Sequence, residues 1–397
     1  MRNSLVFSLF FGLAALNAVA QKGINFQAAP LSTVFKTAQK AAKPVFVEVY
    51  SPDCHVCQSF MPTLADGRVG KSYNAKFVST RADVNQPAVR DWIAANKLYV
   101  PSLPLFLFFS PAGELLHFAM SQNTTDEVIR HANNAITPAA RSNTWKQRFQ
   151  DGERAPNFLI DLAMLSRIVR DTTTNLAALE AYASQQPANT YANNTNWLVT
   201  QKLVLDMANP LAKNLIINIS AYKRQYGQAA VDVAENILMS SLYSSRGGRF
   251  TPAQVRQVQE GLVRVGIDAK LASARTLVPE ITALFRQKQG AAAAERMNTH
   301  LANNSLLVPE WVYVARLFNR NSPDAADAPS VVAWTNKALA LKPTAPQQAD
   351  LYYEQAEAYR RGNRPAEARQ AATRALELAR ANRIDTKRNT DQLANLN

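Results

Sequence analysis

The apolar positions change period several times between residues 31 and 136. Leu31, Val34, Phe35 and Ala38 recur at helical spacing. The run PVFVEVY, residues 44–50, is rich in β-branched and aromatic residues, as expected of a buried strand. Phe60, Met61 and Leu64 then restart a helical pattern. AKFVSTRADV (75–84) predicts another strand, and QPAVRDWIAANK (86–97) predicts a helix with Val89, Trp92 and Ile93 on one face. PLFLFFS (104–110) and ELLHFAM (114–120) predict two strands joined by the turn PAG. Thr124 and Glu127 have capping-box spacing for a last helix over 125–136. The order is helix, strand, helix, strand, helix, strand, strand, helix. Helices alternating with strands, then a hairpin, predict an α/β sandwich around a mixed sheet.

Strand alternation ends at ITPAARSNTW (136–145), where Thr137 and Pro138 have the chemistry of a helix start. From there to residue 397 helical stretches are separated by polar or glycine-bearing breaks at 185–196, 244–252 and 319–329, which predicts an all-α region. Near its end, Tyr352, Ala356, Tyr359, Ala368, Ala372 and Ala375 alternate large and small residues in one register. Trp311, Ala315, Phe318, Ala338 and Pro343 repeat the scheme, with a connecting loop about four residues longer. This pattern resembles the tetratricopeptide repeat; generic helical hairpins are the alternative. The expected division is residues 21–137 for the α/β domain, 138–305 for an all-α domain, 306–382 for a repeat pair and 383–397 for a polar tail.

Residues 1–20 read differently. Arg2 supplies a positive start, Leu5 to Leu16 form a short apolar run, and Ala18-Val19-Ala20 fits a cleavage site. This is the order of a signal peptide, with Gln21 as the expected mature N-terminus and the periplasm of a Gram-negative bacterium, or secretion, as the destination. No later segment is apolar enough to suggest a membrane span.

Export changes the meaning of the cysteines. The chain has two, Cys54 and Cys57, in SPDCHVCQ. A disulfide between them would close so small a loop that it would constrain the unfolded chain little. A chain of 397 residues also has enough length for ordinary cores without a staple. The pair therefore points to chemistry rather than stabilisation. Zinc usually takes four ligands, and the chain offers no second such pair. No metal and no cofactor are expected, with a two-cysteine copper site as the metal alternative.

The placement of the pair carries a stronger resemblance. Cys54-His55-Val56-Cys57 lies at a strand-to-helix junction. Glu48 stands six residues before Cys54, Leu103-Pro104 opens the last strand pair, and Arg81 lies in the second strand. Residues 24–137 thereby resemble thioredoxin, closer to its exported bacterial reductase and interchange relatives. The resemblance implies an attacking thiol at Cys54, a resolving thiol at Cys57 and a buried proton acceptor at Glu48. It also implies a cis proline at Pro104, with Leu103 aligning a substrate peptide beside His55, and Arg81 as charge partner of the acid. Asp53 stands where thioredoxin usually has tryptophan, and His-Val replaces Gly-Pro. Asp53 disfavours a thiolate at Cys54 and a protonated His55 favours it, so reductase, oxidase and isomerase directions all stay open.

The formal net charge is +14, and most of the excess follows residue 137. Acids and alanines interrupt the basic residues, and no dense basic run carries stacking aromatics, which argues against nucleic-acid binding. The expected protein is an exported thiol–disulfide oxidoreductase acting on a protein disulfide or dithiol. Its helical region is expected to recruit a protein partner or mediate self-association. The rival readings are a helical scaffold whose cysteines form a redox switch or relic, and a periplasmic metal-handling protein.

Overall fold

The structure is a computed structural model that describes residues 23–396. The expected signal peptide, residues 1–20, and the expected cleavage point before Gln21 lie outside the described residues. The chain divides into two compact units, Met1–Ala178 and Leu179–Asn397.

The first unit is built on a four-stranded mixed sheet. Its strands are β1 (Val45–Tyr50), β2 (Val78–Asp83), β3 (Leu105–Phe109) and β4 (Leu115–Ala119), in the order β2-β1-β3-β4. β1 runs parallel to β2 and antiparallel to β3, and β3 pairs antiparallel with β4. The apolar character of β1, Glu48 apart, has a simple cause, because helices cover both of its faces. Val45, Val47 and Val49 pack with Val34 and Ala38 of α1 (Leu31–Ala41). Phe46 faces the other side, where it meets Phe60 and Leu64 of α2 (His55–Leu64).

The element order contains one helix more than the pattern predicts. α2 stops at Leu64, and α3 (Gly67–Lys76) starts afresh after Asp66. The Asp66 carboxylate accepts the Arg68 N–H at 2.7 Å and caps the new helix. Val69 and Tyr73 point inward from α3. α4 (Pro87–Ala95) and α5 (Thr125–Ile136) follow the expected positions. Only half of the capping box at α5 forms. The Thr124 hydroxyl accepts the Glu127 N–H, whereas the Glu127 carboxylate turns to Arg130.

The sheet-bearing unit continues past residue 137. Thr137-Pro138 opens a single 3-10 turn rather than an α-helix. α6 (Trp145–Gln150) and α7 (Pro156–Ile168) come next. Leu165 and Ile168 join the apolar cluster on the Val47 face of the sheet, and Trp145 packs edge-on against Phe118. The Tyr99 N–H donates to the Ile168 carbonyl at 2.8 Å. A fragment ending at 137 loses these contacts, at about 2 kcal/mol for each of the three large side chains. Residues 21–178 are therefore expected to melt cooperatively, and residues 21–137 to melt at a much lower temperature or to bind a hydrophobic dye at rest. Equal melting temperatures would show that α6 and α7 add nothing.

The second unit is helical throughout its described residues. Helices Val308–Asn321 and Ala328–Leu339 form one pair, with Trp311, Ala315, Phe318 and Ala338 buried. The long loop between them is held by buried Asp327, which accepts from the Ser322 hydroxyl and pairs with Arg361, each at 2.7 Å. Helices Ala345–Arg361 and Pro365–Ala381 form another pair with Ala356, Ala368, Ala372 and Ala375 fully buried. Small residues there let the helix backbones come close. The segment read as a polar tail contains a short helix, Lys387–Ala394, which buries Asn389 and Gln392.

Candidate functional site

Cys54 sits where β1 hands over to α2. A turn closes directly after the strand, with the Cys54 N–H donating to the Ser51 carbonyl at 3.2 Å. Cys54 is the N-cap of α2 in extended conformation, and its Sγ accepts the Cys57 N–H at 3.1 Å. A sulfur in this position meets an otherwise unpaired helix N–H and the positive end of the helix dipole. Cys54 is half-buried, whereas Cys57, one turn further in, is only 1% exposed. A disulfide joins the two.

Leu103 and Pro104 approach the pair from the loop before β3. Their peptide bond is cis. The Leu103 carbonyl oxygen lies 3.8 Å from Cys54 Sγ, so the structure brings Cys54, Cys57 and Leu103 together. His55 and Val56 are exposed on the first turn of α2. Asn85, in the loop after β2, ties down the turn before Cys54. Its side-chain amide donates to Ser51 Oγ at 3.1 Å and to Asp53 Oδ2 at 3.4 Å. The sequence reading did not single out Asn85, because only the parallel β1–β2 pairing places its loop beside the cysteine turn.

Glu48 and Arg81 face each other across β1 and β2 in register. Arg81 Nε donates to Glu48 Oε2 at 2.7 Å, and its second nitrogen reaches Oε1 at 3.3 Å. The Glu48 side chain is fully buried and that of Arg81 is 23% exposed. Arg81 also lies over the Tyr50 ring, 3.8 Å from its centroid. Burial raises the Glu48 pKa, and the hydrogen bond and charge of Arg81 oppose that rise. Strand alternation puts Glu48 on the same sheet face as Phe46, the face that α2 covers.

A second polar cluster holds His117 and His131. They meet at 3.2 Å where β4 packs on α5. Their separation of 14 residues left no local signal, because their meeting depends on how that helix docks. Among the described residues, no group of three or more His, Cys, Asp or Glu side chains is placed to hold a metal ion. Among the same residues, no helix is long and apolar enough to cross a membrane. Compared with known protein families and with curated proteins, the chain matches no family model and no curated protein.

Proposed function

We propose that the protein is an exported, thioredoxin-like thiol–disulfide oxidoreductase. The observation that carries this reading is a half-buried Cys54 at a helix N-cap, with shielded Cys57 one turn behind it and the Leu103 carbonyl across the sulfur. In the reducing direction the Cys54 thiolate attacks a partner disulfide. The partner S–S bond breaks, one partner sulfur leaves as a thiolate and takes a proton, and a mixed disulfide forms. Glu48 accepts the proton of Cys57. The Cys57 thiolate then attacks Cys54 Sγ, the bond between Cys54 and the partner breaks, and the second partner sulfur departs as a thiolate and takes up a proton. The partner gains two electrons and two protons, and the protein is left with its Cys54–Cys57 disulfide. The oxidising direction reverses each step. Leu103 beside cis Pro104 offers a backbone carbonyl to an extended substrate, and exposed His55 and Val56 border it.

Turnover of insulin disulfides with dithiothreitol as reductant tests the activity. A rate no faster than dithiothreitol alone would reject it. A measured reduction potential for the pair then assigns the direction, because it sets which way electrons flow against a given partner.

The helical unit is assigned to partner recruitment. Helices Ala345–Arg361 and Pro365–Ala381 border a groove of about 810 Å³ lined by Tyr352, Tyr359, Arg369 and Arg374, among others. Aromatic side chains in a groove where Glu367 and Glu377 balance the two arginines suit an extended or helical protein segment of mixed charge. Residues 21–178 are expected to match the full chain on insulin and to fall about tenfold or more behind it on the native partner, as effective concentration is lost. Equal efficiency on the native partner would separate the helical unit from the redox reaction.

Export rests on the order of the first twenty residues. Mass spectrometry of the protein from its native host is expected to find Gln21, intact or cyclised, as the first residue. A mature chain that retains Met1 would overturn the assignment.

A further inference from the structure

A cavity of about 370 Å³ opens beside the histidine pair in the first unit. Phe118, Trp145, Ile160 and Met164 line it with apolar surface. His131, Arg130, Glu127 and Asp161 form a polar edge. The volume suits a small organic molecule.

The protons along this edge can be counted. The Ser142 N–H points at His117 Nδ1 at 3.2 Å. His117 Nε2 faces His131 Nδ1 at 3.2 Å, and His131 Nε2 faces an Arg130 guanidinium nitrogen at 3.3 Å. The two ends of this chain, a backbone N–H and a guanidinium, only donate. Each neutral imidazole contributes one proton and one acceptor. Three contacts therefore hold four protons and only two acceptors, so at one contact two N–H groups face each other.

Burial decides where the surplus falls. Ser142 and His117 are buried, so their links hold, with His117 Nε2–H donating to His131 Nδ1. The neutral His131 then carries its own proton on Nε2, opposite Arg130, whose side chain is 52% exposed. Glu127 does not resolve the conflict. It already accepts two hydrogen bonds from Arg130, and its Oε2 is 3.9 Å from His131 Nε2. Charging either ring would add a fifth proton. Burial, with His131 and then Arg130 beside it, lowers the His117 pKa to about 3, and burial with Arg130 lowers that of His131 to about 4 against the opposing charge of Glu127.

We propose that the cavity is a binding site for a small neutral molecule with an apolar body and a carbonyl acceptor. Its oxygen accepts from His131 Nε2–H and from Arg130, and its body fills the space beside Trp145 and Met164. An anion is disfavoured because Glu127 and Asp161 outnumber Arg130 on the polar edge. A metal ion is disfavoured because the Ser142 N–H keeps the proton of His117 on Nε2, the nitrogen turned toward His131.

Titration of the full-length protein with acetophenone tests the site. The chain has four histidines, so selective nitrogen-15 labelling reads each ring separately. Acetophenone at millimolar concentrations is expected to move the His131 Nε2 signal saturably. Ethylbenzene, which lacks the oxygen, is expected to bind about tenfold more weakly, the worth of one net hydrogen bond. Benzoate is expected to bind more weakly than acetophenone. His131→Phe should bring acetophenone toward the ethylbenzene affinity, with the Arg130 hydrogen bond as the remaining difference. Arg130→Gln, at an exposed position, should weaken acetophenone and leave ethylbenzene unchanged, which keeps the test valid if His131→Phe does not fold. No saturable shift, equal affinity for ethylbenzene, or tighter binding of benzoate would each overturn the proposal.

Discussion

Cys54→Ser is expected to bring disulfide exchange down to background, a loss of about a hundredfold or more. A serine hydroxyl stays protonated at working pH and supplies almost no nucleophile to a disulfide. Cys57→Ser is expected to behave differently. Cys54 keeps its N-cap position and the N–H of residue 57 as donor, so it still attacks. Without a resolving thiol the reaction stops at the mixed disulfide, and the covalent complex should survive non-reducing electrophoresis. Alkylation of the reduced wild-type protein should label Cys54 about tenfold or more ahead of Cys57, because helix-end stabilisation and exposure both favour Cys54. Equal labelling of the two thiols, with no trapped complex from Cys57→Ser, would remove the assigned roles.

Arg81→Ala is expected to destabilise the sheet-bearing unit by about 3 kcal/mol at neutral pH, since it leaves a buried carboxylate without its counter-ion. The fully buried Glu48 has bidentate hydrogen bonding from Arg81 to lose. The sign of the pH dependence follows from the raised pKa. A carboxyl group whose folded pKa exceeds its unfolded value holds its proton more tightly when folded, so stability falls as pH rises from the unfolded pKa to the folded one. Removing Arg81 raises the folded pKa further. The defect should therefore be largest above that pKa and should shrink on acidification below it, where the neutral acid needs no cation. The double variant Glu48→Leu, Arg81→Met should recover most of the loss, as apolar replacements of a buried pair often do. Hydrogen-exchange protection of the β1 amides at acid and at neutral pH measures the effect. A loss that is independent of pH, or a double variant as weak as the single one, would show that Arg81 acts by packing over Tyr50 instead.

Much of this architecture was legible in local pattern. PVFVEVY predicts a buried strand, and β1 is one. The small residues Ala356, Ala368, Ala372 and Ala375 announced close helix packing, and all four are fully buried. The position of Cys54 between a strand and an apolar helical pattern was likewise enough to locate an N-cap. These features depend on residues within a turn or two of each other, where periodicity and backbone preference act directly.

Other features depended on tertiary packing. The boundary expected after residue 137 rested on the end of strand alternation, but α7 returns Leu165 and Ile168 to the sheet from well beyond it. α3 was hidden because its apolar positions are few and its start rests on one Asp66 cap. Asn85 reaches the cysteine turn through strand pairing, and His117 meets His131 only because α5 docks on β4. The sequence by itself determined the four strands, most of the helices and where the two thiols stand. Tertiary structure decided which polar side chains share a donor or an acceptor, because hydrogen bonds between distant residues follow from register and helix docking, and neither leaves a periodic trace along the chain.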